Sequence, residues 1–152
     1  EGAVTFVPAA SEPAAQVRLY WAAAAGGQYG EMRPLEVDGR RGAAVFVRPD
    51  VEALGPEIAT RARLDALFRD TIVYLTCLHE LGHALGLSHT ANYDDIMYAF
   101  GYGGDIHGYF ERFRRQLRAR GDIPSASILS AGDLARLQRL YGQADEVAAR
   151  PN

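Results

Sequence analysis

Three of the chain's four histidines fall within eleven residues, His79-Glu80-Leu81-Gly82-His83-Ala84-Leu85-Gly86-Leu87-Ser88-His89, and no other stretch restricts the fold as tightly. On an α-helix, residues i and i+4 lie about 40° apart in azimuth and about 6 Å apart along the axis. The imidazoles of His79 and His83 can therefore converge on one cation at about 2.0–2.1 Å. Glu80 lies about 100° around from His79, beside such an ion rather than on it, which suits a base acting on water. His89 does not fit an unbroken helix, where it would point about 120° away from His83 and lie about 9 Å further on. Gly86 resolves this, because a residue free to adopt φ > 0 can end the helix and turn the chain back. Three histidine ligands leave one tetrahedral position open, the arrangement of a catalytic rather than a structural zinc site.

The surrounding sequence supplies a scaffold for such a helix. Leu64, Leu67, Phe68, Ile72, Leu75, Leu78, Leu81 and Leu85 recur at steps of three and four, which predicts one helix from about Arg61 to a stop at Gly86. A second helix is predicted from Asp105 to Arg120, with Ile106, Tyr109, Phe110, Phe113 and Leu117 on one side. A third starts at Ser130, where Asp133 approximates a capping box, buries Leu134, Leu137, Leu140 and Tyr141, and closes at Gly142. The N-terminal third reads as strands and turns. Val4–Val7, Val17–Trp21 and Ala43–Val47 are β-prone runs, and Gly26, Gly27, Gly30, Pro34 and Asp38-Gly39 mark turns. Strands followed by helices give an α+β fold, and 152 residues give a single domain.

Composition removes several functions. A net charge of −3 offers no attraction for nucleic acid. No run of about 20 apolar residues exists to span a membrane. The only cysteine, Cys77, excludes an intrachain disulfide and reads as a small apolar residue of the helix. His107 reads as a surface or capping histidine. Arg112, Arg114, Arg115, Arg118 and Arg120 read as the solvated face of an amphipathic helix. Asp94 and Asp95 read as turn or supporting residues. The sequence leaves the oligomeric state open.

The eleven residues match the metzincin signature, and Asp95-Ile96-Met97-Tyr98 places a methionine eight residues beyond His89. The chain therefore resembles the metzincin zinc peptidases, and among them the matrixin branch, in which Tyr directly follows the methionine of the Met-turn. Leu129–Leu134 and Leu140–Gly142 resemble the last helix of matrixin catalytic domains, and Phe6-Val7-Pro8, Val17–Trp21 and Gly42–Pro49 resemble their upper strands.

This resemblance implies one catalytic domain over 1–152, with an upper lobe at about 1–86, a lower lobe at about 87–142 and a polar tail at 143–152. It implies a zinc-dependent endopeptidase acting on protein or peptide substrates, with His79, His83 and His89 as zinc ligands and Glu80 as the general base. Met97 and Tyr98 would form the apolar floor, and Tyr98 would not be a ligand. Ala43, Ala44 and Val45 would belong to an edge strand that pairs with the substrate backbone. Secreted or extracytoplasmic placement is implied by the resemblance alone; no signal peptide is visible in the chain. The family's second, structural zinc is not predicted, because Val45 stands at its expected histidine and 26–42 contain no histidine; calcium is likewise unsupported. The proline after the Met-Tyr pair is replaced by Ala99, and 99–128 is longer than the usual lower lobe. A non-catalytic zinc- or peptide-binding module, or an exopeptidase, on the same fold is the alternative.

Overall fold

A computed structural model describes residues 4–22 and 29–142, and the fold is α+β. Three strands form one sheet: β1 (Val17–Trp21), β2 (Gly30–Val37) and β3 (Arg40–Val47). Their order is β1-β3-β2, with β1 parallel and β2 antiparallel to β3. The hairpin between β2 and β3 turns through Asp38 (φ 50°) and Gly39 (φ 72°). Positive φ at both central residues matches the right-handed twist of the strands, the reason Asp-Gly favours two-residue hairpins. β2 therefore folds back on the outside of the sheet and leaves β3 in the middle.

Four helices follow: α1 (Pro56–Leu64), α2 (Ala66–Ala84), α3 (Ile106–Arg114) and α4 (Ala131–Tyr141). α2 lies across β2 and β3, where Ala43, Val45 and Val47 are buried. Its own buried stripe includes Phe68, Ile72 and Leu75. The other side of α2 meets α3 and the segment before it, through Ile96, Met97, Tyr98, Tyr109, Phe110 and Phe113.

The structure departs from the sequence reading in several places. Val4–Val7 forms no strand, and Phe6 and Val7 are exposed. β2 runs through Gly30 and Pro34, read above as turn signals; Pro34 has no N–H to give, which an edge strand tolerates. Ala43, Ala44 and Val45 are hydrogen-bonded to a neighbour strand on both sides. They have no free edge for a substrate; the edges are β1 and β2, and of the two β2 lines the cavity described below. The single helix from Arg61 to Gly86 is two helices, with Leu64 exposed at the break. α3 stops at Arg114 in a tightened last turn, where Leu117 N–H bonds Arg114 C=O at 3.1 Å. On α4, Leu134, Leu140 and Tyr141 are exposed rather than buried. Arg112 and Arg114 are not simply solvated, for Arg112 lies over three aromatic rings and Arg114 pairs with Asp65. Gly26, Gly27 and the polar tail at 143–152 lie outside the described residues.

Asp65 explains the break before α2. Its extended backbone (φ −134°, ψ 97°) makes it the cap of α2, and its Oδ1 accepts from Leu67 N at 3.0 Å and Phe68 N at 3.1 Å. Its Oδ2 takes Arg61 at 2.9 Å and Arg114 at 2.8 Å, joining α1, α2 and α3 at one carboxylate. Burial opposes ionisation there, but the Phe68 amide, Arg114 and Arg61 outweigh it and hold the carboxyl below its ordinary range. Asp65→Ala should destabilise the fold by about 2 kcal/mol, a lost cap plus two lost ion pairs, with Arg61 keeping Glu111 and Arg114 keeping Leu117 C=O, and Asp65→Asn by about half as much; urea unfolding measures both. A depressed carboxyl pKa contributes stability that is present above the unfolded value of about 4 and lost as pH falls through the lower folded value. Below about pH 4, wild type should therefore lose stability more steeply than Asp65→Asn.

Candidate metal centre

α2 places His79 and His83 one turn apart, and its end is built by Gly86 at φ 92°. Gly86 N–H bonds His83 C=O, and Leu87 N–H bonds Gly82 C=O, each at 2.9 Å. These two bonds form a Schellman motif, in which the left-handed residue satisfies carbonyls the helix leaves free. The reversed chain is then fixed by Thr90 N–H on Met97 C=O at 2.9 Å. His89 Nε2 thereby comes to lie 3.1 Å from Nε2 of both His79 and His83.

The tautomers follow from the partners of the other ring nitrogens. His79 Nδ1 lies 2.7 Å from Ile96 C=O, and His83 Nδ1 lies 2.9 Å from Leu87 C=O. A carbonyl only accepts, so both Nδ1 atoms carry the proton and both Nε2 atoms present lone pairs. Burial lowers the pKa of His79 to about 4 and also lowers that of His89, with His83 adding to both effects. His89 Nε2 can meet these two lone pairs either as an N–H donor to one of them or, deprotonated, as a third lone pair on a shared cation. Tetrahedral zinc at about 2.0–2.1 Å would separate its ligand atoms by about 3.3 Å, so this donor set fits zinc. Among the described residues it is the one group of His, Cys, Asp and Glu with this geometry.

Below the histidines, Met97 is fully buried and Tyr98 nearly so. The Met97 sulfur lies against Gly82, where an added Cβ would be 2.4 Å from it, so the helix and the turn meet only because residue 82 has no side chain. Tyr98 donates its hydroxyl to Gly103 C=O.

Support for this turn comes from Asp95, read above as a turn or supporting residue, and from Asp133, which the sequence reading placed only in the cap of the last helix. Asp133, fully buried at the start of α4, accepts from Ile96 N at 2.8 Å, Ser130 N at 3.0 Å and Arg136 at 2.8 Å. Asp95 accepts from Thr90, Asn92, Ser130 and Arg136 at 2.6–3.0 Å. Burial pushes its carboxyl up, but Ser130, Arg136 and Thr90 outweigh this and lower it. The capping box from Ser130 to Asp133 was the visible signal. Its attachment to Ile96 depends on tertiary folding.

Glu80 is buried on the wall of a cavity of about 610 Å³ that also exposes His79, His83 and His89. Burial, with a smaller contribution from Glu31, pushes its carboxyl up to about 7. Gly30, Glu31 and Met32 of edge strand β2 line the same cavity, while Leu54, Leu75, Phe100 and Phe110 give it an apolar recess. Ala43, Ala44 and Val45 are not on its wall. Cys77 is half-buried with its thiol pKa raised, chiefly by burial, and His107 stands 3.9 Å from Glu57.

The matrixin family profile matches residues 9–107, more than half of the chain. Matrix metalloproteinase-26 of Homo sapiens is 34% identical over 71 residues, covering 47% of this chain and 20% of that protein. Macrophage metalloelastase of Rattus norvegicus is 33% identical over 94 residues, covering 58% of this chain and 16% of that protein. The chain thus spans a fifth or less of the length of the curated relatives it matches. No solved structure matches it. The matched stretch runs from before β1, through the three histidines and Met97, to the start of α3, and the chain belongs to the matrixin family.

Proposed function

We propose that this chain is a zinc-dependent endopeptidase domain, with an upper lobe at about 1–86 and a lower lobe at about 87–142. The observation that carries this reading is the meeting of three imidazole Nε2 atoms beside a buried carboxylate, in a cleft bordered by a sheet edge. His79, His83 and His89 would hold the metal, with Met97 and Tyr98 as the floor and Gly86 as the turn that returns His89. Zinc bound there supplies a Lewis acid that acidifies water and polarises a carbonyl. Glu80 would accept a proton from water on a carboxylate oxygen and return it to the leaving amine.

The chain's own backbone supports extended peptide binding. β2 is hydrogen-bonded to β3 on one side only, so its other edge can add a peptide strand along the cleft. The apolar recess under Phe100 and Phe110 supports an apolar substrate side chain next to the cleaved bond. Family membership and the two relatives support metallopeptidase chemistry. Placement outside the cytoplasm is proposed on the same ground. No helix among the described residues is long and apolar enough to cross a membrane.

Digestion of a mixed peptide pool, with products located by mass spectrometry, should give internal cuts; terminal trimming alone, or no products, would count against an endopeptidase. Glu80→Gln should retain one zinc per chain and lose about 10²- to 10⁴-fold in kcat/KM, the range for a general base. Chelation should abolish cleavage by the wild type, and added zinc should restore it while magnesium should not. Full activity in the chelated protein would remove the metal from the reaction.

A further inference from the structure

β2 presses on α2 at its first residue. A Cβ on Gly30 would lie 2.5 Å from Oε1 and 2.8 Å from Cγ of Glu80, and 2.8 Å from Cγ2 of Thr76. Side-chain carbons do not approach one another so closely, so the Glu80 side chain occupies the volume that a side chain at residue 30 would take. Both other walls of this slot are held. Gly30 is paired with the fully buried Val47 in the sheet, and Arg48 N–H bonds Tyr29 C=O at 3.1 Å. Thr76 is buried one turn before Glu80, and its hydroxyl donates to Ile72 C=O at 3.0 Å.

We propose that Gly30 is a positioning residue for Glu80: its missing side chain lets the edge strand close over the carboxylate and confine it beside the histidine cluster. The role rests on the peptidase reading above. Gly30 is not among the residues with positive φ, so its backbone conformation is open to any residue and the demand at this position is for space. A methyl group at residue 30 would meet two neighbours, the fixed methyl of Thr76 and the carboxylate end of Glu80, and only the second can swing away at little cost. The base would swing aside and the strand would give slightly against Thr76, while the three imidazoles stayed in place. A displacement of about 1 Å at a reacting group costs up to about 10²-fold in rate.

Kinetics of the zinc-loaded full chain on one peptide identified from the wild-type digest test this. Gly30→Ala is expected to lower kcat by about 10- to 100-fold, with KM within about twofold of wild type. Zinc content should be unchanged, and the thermal unfolding midpoint should fall modestly in Gly30→Ala and recover in part when the Thr76 methyl is also removed. Thr76→Ser keeps the hydroxyl bond to Ile72 and removes the crowding methyl, so Gly30→Ala/Thr76→Ser should regain part of the lost kcat. The double variant also carries the test if the single one does not fold. Wild-type kcat in Gly30→Ala would overturn the positioning role and leave the peptidase reading intact, since wild type would still cleave and Glu80→Gln would not. A loss confined to KM, or a collapse of the unfolding midpoint in both variants, would also overturn it. A wild-type protein that cleaves nothing would remove both claims together.

Discussion

The carbonyl of Ile96 accepts the Nδ1–H of His79 at 2.7 Å while the N–H of the same residue donates to Asp133 at 2.8 Å. The two groups belong to adjacent, tightly linked peptide planes, so neither end shifts without disturbing the other. Asp133 is fully buried and held by Ser130 N and Arg136. Bonds to a buried carboxylate are short and strong, and removing one partner leaves a charge without compensation. The orientation of an imidazole on α2 is thus tied through one residue to the first turn of α4. The same bond fixes the tautomer, because it commits Nδ1 to the proton and leaves Nε2 with a free lone pair.

A comparable linkage holds the wall of the cleft. Arg112 lies over the rings of Tyr93, Tyr109 and Phe113 at 5.0, 4.4 and 4.6 Å and pairs with Asp94 at 2.9 Å. Tyr109 donates to Asp95 C=O at 2.9 Å, and Tyr93 donates to Asp105 C=O. A cation enclosed by ring faces gains electrostatically where water is scarce. Here it joins α3 to the segment that carries Met97. α3 therefore serves the site without touching the histidines, by fixing Phe110 and Tyr109 behind the apolar recess.

What the sequence made legible was local. The i, i+4 histidines, the glycine able to reverse the chain and the Ser130 cap each depend on spacing within one or two turns, and such patterns survive folding because the helix itself enforces them. The strand order was not legible in this way. Asp38-Gly39 marks a turn, but nothing in Gly30–Val37, with a glycine at its start and a proline inside it, matches the composition of a strand. Without β2, β3 was assigned to the edge, and Ala43, Ala44 and Val45 were given a substrate role that their doubly bonded positions do not allow. The break at Asp65 was hidden because the apolar steps continue across it in register. Leu64 fits the periodicity yet faces solvent, since the ion pairs at Asp65 rather than the apolar stripe decide where α2 begins.

The stretch of α2 that carries His79, Glu80 and His83 is bounded on two sides by places where a side chain is missing. Gly82 lets the Met97 sulfur press against the helix from below, and Gly30 lets the edge strand press on Glu80 from above. Neither glycine has the positive φ that Gly86 needs, so both are there for distance rather than for backbone conformation. Close approach of this kind sets position through hard contact, which resists displacement more steeply than a hydrogen bond does. The histidines are oriented by directional bonds to carbonyls, whereas the carboxylate beside them, with no hydrogen-bond partner among the described residues to orient it, is held by shape. That difference suits the chemistry proposed for each: a ligand must hold one lone-pair direction, while a base that takes and returns a proton must stay in place without a competing donor.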